Sequence, residues 1–194
     1  MSASQKLLVA GVGGQGVVYL TNLIVEAALC ADLSVASSEI HGLGKRGGSV
    51  VAGVTFGENT YGFIELAGAD FLIGLEPLEA QRCLPFLNPN TRAVIDNRRV
   101  LPYAVNAGKA SYPDSQPFFD YLEEHTERVV VIEESDVNLS PILRNIHALG
   151  SASTLDRFPI PCEQIEKAIE NTARTGYKEQ SLDAFRQGRA HVKR

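Results

Sequence analysis

The sequence predicts an α/β fold of Rossmann-like type, with a mixed, mostly parallel sheet carrying helices on both faces. Three observations lead there. Short, nearly all-apolar strand candidates alternate with helical patterns, as parallel strands covered on both faces require. The first strand candidate runs into a glycine cluster and then a helix, and the third strand candidate, Ser49–Phe56, is hairpin-like, which makes the sheet mixed. The 194 residues, with 44% hydrophobic and 21% charged side chains, suffice for one domain with a real core and exclude a disordered chain.

The first strand is expected over Lys6–Val12 (KLLVAGV), followed by a helix over Val17–Leu33 that repeats Val, Leu and Ile at helical spacing. This helix is apolar on most faces, which predicts cover on more than one side and hints at a partner. Ser34–Glu39 and Ser49–Phe56 read as strands, with a hairpin turn at Gly57–Thr60. Ala69–Leu75 is a buried strand, and Pro77 opens a helix to about Leu87. Arg92–Asp96 is the next strand. The aperiodic stretch Asn97–Gln116, with Pro102 and Pro113, is an excursion around the sheet. Ser115 caps a helix through Glu127, Val129–Ile132 is a buried strand, and Ser140-Pro141 begins a helix that Gly150 stops. A helix over Cys162–Thr172 and a polar helix follow, ending in a basic tail, Arg186–Arg194, expected to fray. The expected organisation is a single domain over 1–194 with a helical C-terminal extension from about residue 160.

The composition narrows the chemistry. A net charge of −5 with no long basic stripe provides no footprint for nucleic acid. No run approaches a membrane span and no cleavage signal precedes the first strand, so a cytoplasmic location is expected. Cys30, Cys83 and Cys162 form no CxxC pair, so neither an iron–sulfur cluster nor a structural zinc is written here, and no metal site is expected. Cys30 and Cys83 are expected to be buried thiols acting as small hydrophobes. Nucleophile-elbow, Walker-lysine and HExxH motifs are all absent from the sequence.

Two constellations remain. Gly11-Val-Gly13-Gly14-Gln15-Gly16 satisfies GxGxxG between a strand and a helix, where free N–H groups at the helix start suit an anion. A nicotinamide site also needs an acid at the end of the next strand, and Glu39 is the only candidate near that end. The second is His41-Gly-Leu-Gly-Lys45-Arg46-Gly47-Gly48, a glycine-rich loop carrying an imidazole, an ammonium and a guanidinium, suited to a carboxylate or phosphate. Placed after the second strand, it should reach the C-terminal rim of the sheet beside the first loop. Three readings stay open on these residues: an anion site in a larger complex, a stand-alone NAD(P)-binding oxidoreductase, and a structural interaction module.

In this order the two motifs, GVGGQGV at Gly11–Val17 and SEIHGLGKRGGSV at Ser38–Val50, resemble the gamma domain of the 2-oxoacid:acceptor oxidoreductases, the pyruvate/ketoisovalerate/indolepyruvate ferredoxin oxidoreductase group. The Glu76-Pro-Leu-Glu-Ala80, Ser111-Tyr-Pro113 and Asn145–Gly150 segments resemble it more loosely, so that the likeness runs from about Lys6 to Gly150. In form, a free-standing domain of this length is most similar to the small (beta) subunit of the indolepyruvate branch, or to the gamma subunit of phenylglyoxylate-type enzymes. The resemblance implies a subunit that is inactive alone, working beside larger chains that carry thiamine diphosphate with Mg and iron–sulfur clusters. Such complexes oxidatively decarboxylate a 2-oxoacid, here aromatic, to an acyl-coenzyme A and pass electrons to ferredoxin or another acceptor. No cofactor is expected on this chain alone. His41 and Arg46 are the candidate catalytic residues. Gly11, Gly13, Gly14, Gln15, Gly16, Glu39, His41, Lys45, Arg46, Gly47 and Gly48 are the candidate cofactor-binding or partner-facing set.

Overall fold

Six strands form a sheet in the order β2-β3-β1-β4-β5-β6 in a computed structural model that describes residues 4–42, 47–58 and 60–192. The strands are β1 (Gln5–Val12), β2 (Val35–His41), β3 (Ser49–Phe56), β4 (Phe71–Gly74), β5 (Arg92–Asp96) and β6 (Arg128–Ile132). β3 runs antiparallel to both β1 and β2, and β1, β4, β5 and β6 are parallel. The sheet is therefore mixed and mostly parallel. Two antiparallel steps leave β2 pointing the same way as β1, so both strands end at one rim.

The two-residue alternation of the strands divides the core. Leu7 and Val9 of β1, Phe71 and Ile73 of β4 and Val94 of β5 pack on one side with α1 (Val17–Cys30), α5 (Pro141–Ala152), α6 (Cys162–Thr172) and α7 (Lys178–His191). Leu8, Ala10, Leu72, Ala93 and Ile95 face the other side, where they meet Ala80 of α2 (Pro77–Gln81) and Phe118, Phe119 and Leu122 of α4 (Gln116–His125). α1 is covered by the sheet and by α6, while Val18 and Leu29 on its remaining face stay exposed. No helix among the described residues is long and apolar enough to cross a membrane.

Several expectations change. The helix from Pro77 breaks after Gln81, and Leu84–Phe86 forms a separate 3-10 turn. The excursion over 97–116 contains one short helix, α3 (Tyr103–Asn106). Ser115 and Ser140 occupy helix-cap positions without accepting a side-chain hydrogen bond. Rather than turning at 57–60 into another strand, the chain after β3 folds back over the β2–β3 pair: Ser38 Oγ donates to the Gly62 carbonyl (2.6 Å) and Gly62 N donates to Thr55 Oγ1 (3.1 Å). Position 59 of the expected turn lies outside the described residues. Cys83 is buried, but Cys30 is only half-buried, with its thiol 3.8 Å from Glu26 Oε1.

The largest departure is at the C-terminus. Gly150 does not stop α5, and residues 186–191 are not frayed, because α5 and α7 cross with their backbones almost touching. A Cβ at Gly150 would stand 2.1 Å from the Phe185 carbonyl oxygen, and one at Gly188 only 1.9 Å from the His147 carbonyl oxygen. Glycine is required at this crossing for proximity. Ser151 Oγ donates to the Gly188 carbonyl (3.0 Å), and Phe185 is fully buried in the crossing.

Candidate functional site

The end of β1 turns into α1 through Gly13–Gly16, and one side chain holds the turn. Gln15 is buried; its Oε1 accepts from Val12 N (2.7 Å) and its Nε2 donates to the Leu75 carbonyl after β4 (3.0 Å). The amide thus joins two adjacent strand ends, using its donor and acceptor in one plane. Asn145 of α5 donates from Nδ2 to the Gln15 carbonyl (2.7 Å). Gly16, the residue before α1, has φ 92°, a left-handed conformation that a side chain resists, and Asn145 Nδ2 stands 3.0 Å from where its Cβ would be.

The second motif arrives as expected from the sheet direction. Gly13 N donates to the Gly48 carbonyl (2.8 Å), so the two glycine loops are in contact at the C-terminal rim. Gly42 N donates to the Ser49 carbonyl (2.7 Å), closing the base of the β2–β3 connection. Glu39 and His41, two residues apart on β2, lie on the same face of the strand, and His41 Nε2 is 3.2 Å from Glu39 Oε2. The His41 side chain is 55% exposed, so the imidazole remains available on the surface. Gly11, at the end of β1, and Gly14 and Gly47, with φ of 96° and 71°, complete the rim. Lys45 and Arg46 lie outside the described residues.

This geometry does not suit a dinucleotide. The ribose-binding acid of that fold stands on the strand beside β1, whereas antiparallel β3 is inserted here and moves Glu39 two strands away, roughly 10 Å at the usual strand spacing. The Gly13 amide is also already engaged by Gly48.

Beside the joined loops lies a cleft of about 340 Å³. It is lined by the loop residues Val12, Gly42, Gly47, Gly48 and Ser49, by Glu79 and Arg82, and by Val100, Leu101, Pro102 and Tyr103. Glu79 is 6% exposed; Arg82 Nε is 3.4 Å from its Oε1, while its Oε2 is buried and accepts no hydrogen bond. Glu76 builds this wall. Its Oε2 caps α2 by accepting from Glu79 N (3.0 Å), and its Oε1 accepts from the Tyr112 hydroxyl and, at 3.4 Å, from Val100 N. Burial, aided by the Glu76 carboxylate, pushes the Tyr112 pKa up and keeps the phenol a donor. At the end of β5, buried Asp96 is bound by Arg144 of α5, whose Nε donates to Oδ2 at 2.9 Å, while Arg98 N donates to Oδ1 at 3.1 Å.

Motif chemistry does not single out Glu79, Arg82 or Asn145. The last is 130 positions from Gln15, and the segments containing Glu76, Glu79, Tyr112 and Asn145 stood out only through the family resemblance. The described residues offer no group of three His, Cys, Asp or Glu side chains able to hold a metal ion. Cys83 packs on the opposite face of the sheet from Cys30 and Cys162, so the three thiols cannot ligate one cluster together.

Comparison with known proteins agrees with this architecture. The family model described as pyruvate ferredoxin/flavodoxin oxidoreductase matches residues 6–191. The chain is 35% identical over 185 residues to the indolepyruvate oxidoreductase subunit IorB of Archaeoglobus fulgidus, covering 94% of this chain and 92% of that one. Its fold is similar to the gamma subunit of a keto/oxoacid ferredoxin oxidoreductase from Geobacter sulfurreducens, with a TM-score of 0.67 at 18% identity, covering 97% and 98% of the two chains. It is also similar to 2-oxoglutarate:ferredoxin oxidoreductase from Magnetococcus marinus, with a TM-score of 0.69 at 20% identity, covering all of this chain and 32% of that one; that structure has 2-oxoglutarate, coenzyme A and succinyl-CoA bound. With nearly its whole length matched, this chain belongs to the pyruvate ferredoxin/flavodoxin oxidoreductase family.

Proposed function

We propose that this chain is the small subunit of a multi-subunit 2-oxoacid:ferredoxin oxidoreductase of the indolepyruvate type, a single gamma-type domain that closes one side of the catalytic assembly and is inactive alone. The carrying observation is the contact between the two glycine loops, Gly13 N to the Gly48 carbonyl, which unites both family motifs at one rim. Support for the aromatic 2-oxoacid comes from the likeness to an indolepyruvate oxidoreductase subunit over most of both chains. A larger partner would carry thiamine diphosphate, its Mg and the iron–sulfur clusters, supplying decarboxylation and electron transfer to ferredoxin. Acyl transfer to coenzyme A would complete the reaction.

This chain contributes position and hydrogen bonds. Gln15 holds the first loop rigid, so its backbone faces the partner without adjusting on contact. His41, exposed beside Glu39, can donate a hydrogen bond or move a proton at Nε2. Lys45 and Arg46 would hold anionic portions of substrate, coenzyme A or thiamine diphosphate, Arg46 by a forked contact.

The test is reconstitution. Each chain is purified alone and then combined, and indolepyruvate-dependent reduction of ferredoxin is followed with coenzyme A present. Activity is expected only in the mixture. Turnover by this chain alone, or undiminished turnover by the larger chain without it, overturns the reading.

A further inference from the structure

We infer that β2 is the pairing edge for a second copy of this chain, the two sheets joining antiparallel through their β2 strands about a two-fold axis at Ser38. β2 closes one side of the sheet, and its bonding pattern shows which backbone groups face outward. Gly57 N donates to the Ser34 carbonyl (2.9 Å) and Gly42 N to the Ser49 carbonyl (2.7 Å), both in the register that pairs Val35 with Phe56 and His41 with Val50. Antiparallel bonding repeats at every second residue. Ala36, Ser38 and Ile40 therefore bond β3, and Val35, Ser37, Glu39 and His41 turn their N–H and C=O groups to the open edge. Natural sheets blunt such an edge with proline, lysine, a bulge or a very short strand. β2 (VASSEIH) contains neither residue, and its register with β3 is unbroken over the whole strand.

The strand selects its own partner. Residues that face each other across an antiparallel edge both turn their bonding groups outward or both inward, so the axis of a symmetric pair falls on a residue. Centred on Ser38, Val35 meets His41 of the second copy and Ser37 meets Glu39, and every outward residue of both strands is bonded. Centring on Glu39 sets two carboxylates face to face and leaves Val35 outside the pairing, and centring on Ser37 leaves out His41. The sheet face beside this edge is apolar. Ser38 Oγ donates to the Gly62 carbonyl, so the segment after β3 lies over β2, with Gly62 and Ile64 buried against the sheet and Tyr61 and Phe63 outward, 81% and 67% exposed. Ile40, on the same face as Ser38 and 64% exposed, stands opposite Ala36 of the second copy in this register. The two aromatic rings offer roughly 300 Å², a substantial part of the ~800 Å² that each partner gives to a standard interface. Because the pairing is antiparallel, the two glycine rims lie at opposite ends of the joined sheet and both stay free for a larger subunit. The inference goes beyond the subunit reading and does not depend on it.

The experiment is sedimentation velocity on the full-length chain from micromolar to sub-millimolar concentration, with amide exchange followed by NMR. The parent should reach twice the 21.0 kDa of one chain. The amides of Ser37, Glu39 and His41 should be protected in the pair and lose protection on dilution, while those of Ser38 and Ile40, bonded to β3, stay protected throughout. Ser37→Pro removes an outward N–H that β3 does not use and should give a folded single chain by far-UV circular dichroism. Ser37→Glu, opposite Glu39 of the second copy, should weaken the pair several-fold and Ser37→Lys tighten it several-fold, both effects shrinking with salt. A parent that remains a single chain at every concentration overturns the inference. A dimer that Ser37→Pro and Ser37→Glu leave intact forms elsewhere and overturns the edge, and equal shifts from Ser37→Glu and Ser37→Lys overturn the register. Outward amides protected only when the larger subunit is added overturn the second copy in favour of a strand of that subunit. If Ser37→Pro does not fold, the two charged variants decide by the same criteria. Reconstituted activity decides the subunit reading separately, whichever way the dimer falls.

Discussion

Replacing Gly188 by alanine sets two forces against each other. Helix propensity alone predicts a gain, because alanine is favoured over glycine within a helix by about 1 kcal/mol. The crossing predicts a loss. The new Cβ would stand 1.9 Å from the His147 carbonyl oxygen and 2.8 Å from its carbon, both backbone atoms of α5 that no rotamer change can move. Restoring an ordinary contact requires α5 and α7 to part by roughly 1.5 Å, and a gap of even about 0.5–1 Å forfeits a quarter to a half of each dispersion contact along the seam. Phe185 lies in this seam, and the Ser151 Oγ bond to the Gly188 carbonyl is pulled open. Overpacking of this kind costs about 1–3 kcal/mol and the hydrogen bond about 1 more, against the propensity gain. The net expectation is destabilisation by about 1–3 kcal/mol, or roughly 2–12 °C in melting temperature for a chain of this size. Urea titration followed by far-UV circular dichroism measures it. A Gly188→Ala protein as stable as the parent, or more so, would show that the helices do not meet at this glycine and refute the packing argument.

Two more perturbations test the site and its support. Gln15→Ala strands the Val12 amide and the Leu75 carbonyl in a buried setting, at about 1–3 kcal/mol for each; the variant should lose about 2–6 kcal/mol in urea titration and lose complex activity with it, and unchanged stability would deny the staple. Burial, with smaller contributions from His191 and Arg144 and against the pull of Asp96, lowers the His147 pKa to about 4. The unfolded chain takes up a proton near pH 6.5 that the native one refuses, so stability is complete above about pH 6.5 and is progressively lost as pH falls from there toward about 4. His147→Asn should flatten that slope by about 3 kcal/mol across the window relative to the parent, and parallel stability curves for the two proteins would remove His147 as its source.

Local pattern carried most of the elements. β5 and α6 lie where alternation and periodicity put them, and the mixed sheet was legible from the hairpin-like third strand, although its expected turn at 57–60 was not the one that formed. The glycine-loop pair was legible too, since strand direction alone brings the ends of β1 and β2 to one rim. Gly150 and Gly188 were not. A glycine reads as a helix stop in one dimension, and only a second helix crossing within van der Waals distance reveals that its missing Cβ is what matters.

The sequence by itself determined the alternation of strands and helices, the two glycine motifs and the family they resemble, because these depend on neighbours a few residues apart. Only the tertiary structure decided that Asn145 holds the Gln15 turn, that Gly13 meets Gly48 and that Glu79 is left with an unpaired oxygen beside a cleft. Those relations join elements tens to more than a hundred positions apart. Burial and hydrogen-bond satisfaction are properties of the packed chain, and no local pattern records them.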